Sequence, residues 1–362
     1  MRNRRLLGWM LCALVGLAGC ASAPREVIVL YPDPPVEPKI AYLRSYSGSS
    51  DFRLPTFFDQ IFGESVEEGF QKPYGVYAYQ DKIYVPLTGH GDVAVLDTKA
   101  RAMSYIGYDG EGKLRQPIGV AVTAGTVFVA DSALRRVMGY NAGGELTITI
   151  GDNREFQKPV GLAVNHSLSR LYVADSYGHK IIAFNPEGKL LFEFGKRGNR
   201  AGEFNYPTNL AVDQRNGSVY IVDTQNFRVQ VFDKDGKYLR EFGRLGDQPG
   251  TFSRPKGIGI DSEGHVYVAD AAFANIQVFS ETGEMLLFFG SAGMGPGQFR
   301  LPAGLCVDEQ DRIYVSDSLN SRVQVFQYLS EKWKKENPEQ YQKYLQQSET
   351  GKKRKAKAAG VQ

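Results

Sequence analysis

Five aspartates recur at matching places in the chain. Asp131, Asp175, Asp223, Asp270 and Asp317 each close an apolar run of the type Val-Tyr-Val-Ala-Asp. Carboxylates converging from separate segments suit a hard cation such as calcium. Four of the five, however, are followed five residues later by a base, at Arg136, Lys180, Arg228 and Arg322. At that spacing acid and base face each other across a tight hairpin, where the pair is neutral and its lone pairs are used. The spacing therefore favours local capping pairs over an open metal or ligand site. Histidine is scarce: His90, His166, His179 and His265. His179 lies four residues after Asp175 and His90 four after Pro86, which places both at the aspartates' end of the fold. Two histidines are fewer than the three ligands of a catalytic zinc site. Resident zinc or calcium is accordingly the minor expectation, and no cofactor the major one. The sequence contains no G-x-S-x-G elbow, P-loop, H-E-x-x-H or C-x-x-C.

The elements that must position these residues form a repeat. Phe204–Gly243 contains four short apolar runs rich in β-branched and aromatic residues: Asn209–Val212, Val219–Val222, Arg228–Phe232 and Tyr238–Phe242. Each is bounded by Gly, Asp or Asn, which marks strands and their turns. The unit recurs six times, with anchors at Phe70/Pro73, Leu114/Pro117, Phe156/Pro159, Phe204/Pro207, Phe252/Pro255 and Phe299/Pro302. The prolines are spaced by 44, 42, 48, 48 and 47 residues. Four strands per period of that length is propeller spacing, one unit to a blade. The reading is all-β, a six-bladed propeller over residues 39–328. Strand direction puts the start of every first strand and the aspartate end of every second strand at one end, here called the top. The long Gly-rich connections lie there too, so the top is the candidate binding face. Its candidate residues are the five aspartates with His179, Arg228 and Arg322.

The sixth unit stops after Arg322–Phe326 without a fourth strand, while residues 39–46 resemble a fourth strand with no first three before it. That stretch is expected to pair as the outer strand of blade 6 and close the ring, because an open ring leaves two unpaired edges. After the blades, residues 329–362 read as a short helix beginning at Pro338 and a disordered basic tail, Lys352–Lys357.

Residues 1–19 read as a targeting segment: Arg2, Arg4 and Arg5, then an apolar run from Leu6 to Ala18 too short for an ordinary membrane span. Leu17-Ala18-Gly19-Cys20 resembles the bacterial lipobox. That resemblance implies cleavage before Cys20 and acylation of its sulfur and amine, with palmitate-type chains holding the protein on a membrane. Ala21 in place of Asp points to the periplasmic side of an outer membrane. Residues 20–38 contain five prolines and read as an extended tether. Cys306 is left as the one cysteine that is neither removed nor blocked, so no disulfide can form within the mature chain. Residues 20–329 hold 31 basic and 36 acidic side chains, which argues against a body that grips nucleic acid.

The unit Pro-x-Gly, then Val-Tyr-Val-Ala-Asp, then Arg-Val-Gln-Val-Phe, then Phe-Gly resembles the NHL repeat over residues 39–326. Pro86 in blade 1 and Asn209 in blade 4 depart from the pattern. With the lipobox and tether, the chain further resembles a group of bacterial envelope lipoproteins with six-bladed propellers. The resemblance implies the six-bladed fold and not a particular function, and the propeller is expected to be monomeric. Peptidylglycine amidating lyases share this propeller type and hold zinc with histidines from separate blades; here only His90 and His179 are candidates. The expectation is a non-enzymatic binding or scaffold module for an envelope protein or polymer. A metal-dependent lyase or hydrolase at the top of the channel is the alternative.

Overall fold

A computed structural model describes residues 29–33, 36–52, 69–151 and 155–358. The targeting segment, Cys20 and the tether up to residue 28 lie outside the described residues. Six four-stranded antiparallel sheets make six blades in a ring. Blade 4 is representative, with strands Pro207–Val212, Val219–Asp223, Arg228–Phe232 and Tyr238–Phe242. Its two central strands are buried throughout, whereas its outer strand alternates between exposed and covered positions. That difference explains the sequence: Val219–Asp223 is apolar on both faces because neighbouring blades cover both, and Tyr238–Phe242 keeps one face for water.

Two glycine positions in the repeat are dictated by space. Gly243, with φ of +85°, turns the chain out of the fourth strand, and a β-carbon there would lie 2.3 Å from the ring of Phe252. Gly195 with Phe204 and Gly290 with Phe299 repeat the arrangement. The Phe-Gly that ends one blade and the Phe that opens the next connection are thus one packing unit. In the first strands, a β-carbon on Gly119 would lie 2.1 Å from the carbonyl oxygen of Val160. Adjacent first strands approach that closely because they converge on the propeller axis. Asn209 stands in the glycine place in blade 4 and instead lies against Gly161, so a single side chain fits where its neighbour has none.

Blade 6 closes the ring as the orphan strand requires. Ile40–Tyr46 pairs antiparallel with Arg322–Tyr328, from Ile40 opposite Tyr328 to Tyr46 opposite Val323. Leu30–Tyr31 adds a fifth strand outside it, within the stretch expected to be an extended tether. The Tyr31 hydroxyl donates to the Gly297 carbonyl, and Leu30 is buried with Ala41, Leu329 and Tyr344. Closure is reinforced between blades 6 and 1, where the Ser316 and Ser318 hydroxyls donate to the carbonyls of Gly75 and Pro73 at 2.8 and 2.6 Å.

Two helices follow, Glu331–Glu336 and Pro338–Ala358. The Ser330 hydroxyl caps the first by accepting the Trp333 N–H at 3.2 Å. The second helix extends further than expected: its backbone runs through the basic stretch Lys352–Lys357, which the sequence had suggested as a disordered tail. No helix among the described residues is long and apolar enough to cross a membrane.

Candidate functional site

The five aspartates are where the repeat places them, at the top ends of second strands, but none presents a surface. All five side-chain-bearing residues are 0% exposed. Asp131 accepts four backbone N–H groups, from Arg115, Gln116, Ala133 and Leu134, at 2.6–3.0 Å. Asp175 accepts those of Gln157, Lys158 and Gly178. Asp270 accepts those of Ser253, Arg254, Ala272 and Phe273. Carboxylates so engaged tie the connection before each first strand to the end of the second strand. They have no free oxygen to offer a ligand on the axis.

Asp223 and Asp317 use side chains as well. Asp223 takes Arg228 Nε at 3.0 Å, Gln230 Nε2 at 3.1 Å and Asn226 Nδ2 at 2.8 Å. Asp317 takes Arg322 at 2.9 Å, with Gln324 and Asn320 in the equivalent places. These are the expected hairpin pairs. Burial still raises the Asp223 carboxyl above its ordinary value, because desolvation outweighs the hydrogen bonds and the Arg228 charge. The guanidinium of Arg228 also donates to the carbonyls of Arg200 and Glu203, and that of Arg322 to those of Gly295 and Gln298. The two arginines therefore clamp the long top connections rather than face solvent. The third expected pair is different: Lys180 reaches Glu193 on the fourth strand at 2.6 Å, not Asp175. In the fourth expected pair Asp131 stands opposite Arg136, and the contacts seen at its carboxylate among the described residues are four backbone donors.

The two top histidines are also committed locally. His179 is buried, accepts the Tyr206 N–H at 3.2 Å on Nδ1, and sits in the left-handed turn before its strand with φ of +53°. Its equivalents Arg135, Phe227, Ala274 and Ser321 adopt the same conformation, so the position is set by the hairpin and not by a ligand. His90 pairs with the buried Asp92 through Nδ1. Among the described residues no three His, Cys, Asp or Glu side chains gather into a group that could hold a metal ion.

Two cavities lie on the axis instead. One, of about 450 Å³, occupies the channel and opens among the short turns of the bottom end, at Gln80, His166, Gln214 and Glu309. Its wall is aliphatic, from first-strand residues such as Val120, Leu162 and Ile258. There the Tyr77 hydroxyl meets His166 Nε2 at 3.2 Å, and desolvation lowers the imidazole below its ordinary value. Burial pushes the Cys306 thiol and the Tyr77 hydroxyl far up. Cys306 is half-buried, packing against the core cluster of blades 6 and 1 while lining the channel. The second cavity is a funnel of about 430 Å³ at the top, lined by polar groups including Gln116, Ser132, Ser176, Thr208 and Gln225. Tyr74, Ile118, Val160 and Thr208 line both and form the waist between them. Lys158 and Lys256 stand in the funnel wall. Lys158 Nζ lies 4.6 Å from the ring centre of Tyr177, which is 52% exposed.

Sequence reasoning looked for function in the recurring acids and missed the bases beside each Pro-x-Gly. Lys72, Arg115, Lys158, Arg254, Lys256 and Arg300 all sit within two residues of a first-strand proline. The signal was present in the repeat alignment, one or two columns before the proline in five cases and one after it for Lys256, but each base looks unremarkable in its own blade.

These features define a class: a six-bladed β-propeller of four-stranded blades, closed by an N-terminal strand. A family model for the NHL repeat matches residues 299–326, and one described as a 6-bladed beta-propeller matches residues 155–230 and 217–272. No curated protein matches the chain. Solved structures similar to it include an auxiliary nutrient binding protein from Bacteroides thetaiotaomicron, with TM-score 0.57, 14% identity, and coverage of 72% of this chain and 70% of that one. A streptogramin B lyase has TM-score 0.55 and 14% identity over 79% of this chain and 97% of that one. Virginiamycin B lyase from Staphylococcus aureus has TM-score 0.53 and 14% identity over 71% and 95%. At these identities the likeness is one of fold.

Proposed function

We propose that the protein is exported, held at a membrane by lipidated Cys20, and works as a binding or scaffold module of the cell envelope through its top face. The partner is an envelope protein complex or an extended polymer. The observation that carries this reading is the top funnel. Its wall holds the exposed Tyr177 with Lys158 over its ring, on connections that differ from blade to blade around a rigid ring. The Leu-Ala-Gly-Cys stretch at residues 17–20 supports the anchor, and Ala21 supports an outer-membrane position facing the periplasm. Cys20→Ala should move the protein from the membrane to the soluble envelope fraction, and crosslinking in intact cells should trap a partner through top-face residues. Unchanged fractionation of the variant would remove the anchor from this account. A metal-dependent lyase or hydrolase, the alternative, requires stoichiometric zinc or calcium in the purified tag-free protein, and that result would replace this reading.

A further inference from the structure

The acids and bases of the top end are sorted into two layers. The aspartates lie beneath, buried and hydrogen-bonded. Above them stand Lys72, Arg115, Lys158, Arg254, Lys256 and Arg300, contributed by five of the six blades and flanking the starts of first strands, which surround the axis. Lys72, Arg115, Arg254 and Arg300 are exposed, and Lys158 and Lys256 are half-buried in the funnel wall. Among the described residues none of the six makes an ion pair or a side-chain hydrogen bond. Some bases elsewhere are paired, Arg215 with Asp213 and Glu281, Arg312 with Asp308 and Arg170 with Asp235, while others such as Lys189, Lys237 and Arg244 are not. Four of the six are also fixed at the backbone by the layer below, where the N–H groups of Arg115, Lys158, Arg254 and Arg300 donate to Asp131, Asp175, Asp270 and Asp317. Two of the six, Lys158 and Lys256, line the funnel, where cations without an ion-pair partner raise the local concentration of anions.

The rest of the funnel says which anions. Gln116, Ser132, Ser176, Thr208 and Gln225 line it with hydroxyl and amide groups, which exchange hydrogen bonds with a hydroxyl-rich ligand. Tyr177 and Tyr206 meet edge to face at 5.6 Å and give aromatic surfaces against which the C–H face of a sugar ring can pack. The funnel, at about 430 Å³, has room for a few sugar units and not for a folded domain.

We infer that the top funnel binds an acidic oligosaccharide, a short run of sugars carrying carboxylate or phosphate groups, with Lys158 and Lys256 meeting its charges and the tyrosines its rings. This rests on reading the top as the recognition face and names the polymer among the two kinds of partner proposed for it.

The test uses the full-length lipoprotein in neutral detergent, titrated calorimetrically with tri-galacturonate, with a phosphorylated maltotriose, with plain maltotriose and with inorganic pyrophosphate. At least one acidic trisaccharide should bind, more weakly as salt rises, and which one binds tells carboxylate from phosphate as the carrier of charge. The double variant Lys158→Ala/Lys256→Ala should weaken that binding about tenfold or more, and Lys158→Arg/Lys256→Arg should keep it. Neither pair touches the core, and circular dichroism checks the fold. Absence of binding by both acidic trisaccharides, equal binding of plain maltotriose, or an unchanged affinity in the alanine variant would each overturn the inference. Pyrophosphate binding as tightly as the acidic sugars would reduce the funnel to a simple anion site and overturn it too. A negative result with normal Cys20-dependent anchoring and a crosslinked protein partner would leave the proposed scaffold role standing.

Discussion

The buried carboxylate of Asp175 accepts the backbone N–H of Lys158 at 2.6 Å, while the ammonium of that lysine lies over the ring of Tyr177. An acid at the end of a second strand thus fixes the point from which a base of the same blade reaches into the funnel. The backbone hydrogen bond, though not the reach into the funnel, recurs between Arg115 and Asp131, Arg254 and Asp270, and Arg300 and Asp317. In blade 4 the donor to Asp223 is Asn205, and the ring of bases is interrupted there by Tyr206. The acids that looked like a site are the mounting for one.

The mounting should be costly to remove. Asp131→Ala leaves the four part-buried backbone N–H groups around this carboxylate without their acceptor. We expect a loss of about 3 kcal/mol, since each unsatisfied buried donor costs roughly 1–3 kcal/mol and water will reach some of them. Asp131→Asn keeps the size but turns one acceptor into a donor facing donors, so it should lose most of the same stability. Urea unfolding of both variants checks this. A loss below about 0.5 kcal/mol in the alanine variant, the scale of an ordinary surface substitution, would mean that the carboxylate is not a structural fastener.

Much of the fold could be read from the sequence because the repeat carries its own controls. The Phe-x-x-Pro anchors, the aspartate ends and the Phe-Gly ends recur together, and the one missing strand was found by comparing the sixth unit with the others. Two things were not legible. Leu30–Tyr31 lies in a proline-rich stretch with no strand-like period, and it pairs only because Ile40–Tyr46 offers an edge. The ring of bases was hidden by counting charge over the whole body, where acids exceed bases. Net charge averages over ends that the fold separates. The hairpin spacing placed Asp223 with Arg228 correctly but could not show that Lys180 reaches Glu193 in the next strand, since that depends on cross-strand register.

Ring closure by the N-terminal strand makes a second expectation. Ile40 is fully buried in a cluster with Phe289, Phe299, Ile313 and Phe326, which joins blades 5 and 6. Ile40→Ala should cost about 3 kcal/mol, the usual range for truncating a buried aliphatic side chain being roughly 2–5 kcal/mol. Leu43, on the solvent side of the same strand, should cost far less on the same change. The two variants compared by chemical unfolding separate closure from mere presence of the segment. Equal and small effects would show that the strand is not part of the cooperative ring.

Glu37 ties the N-terminal strands to the C-terminal helix, and its titration gives the third expectation. Its carboxylate accepts the Tyr341 hydroxyl at 2.6 Å and Lys334 Nζ at 3.1 Å. These contacts, the tyrosine first, hold its pKa down to about 2 from an ordinary 4.5. A carboxyl depressed in the folded state binds its proton more weakly there than in the free chain. The fastening is therefore complete above pH of about 4.5 and is lost as pH falls towards about 2. The pair is half exposed, so salt should weaken it throughout. In a chain lacking residues 1–19, Trp333 is the only tryptophan, and it stacks on Tyr344 of the long helix at 6.1 Å. Its emission should change between those two pH values as the helix loosens from the blade. In Glu37→Gln that acid step should vanish, with the emission already shifted towards the loosened value at neutral pH. The same acid transition in the variant as in the parent would show that another carboxyl controls the joint.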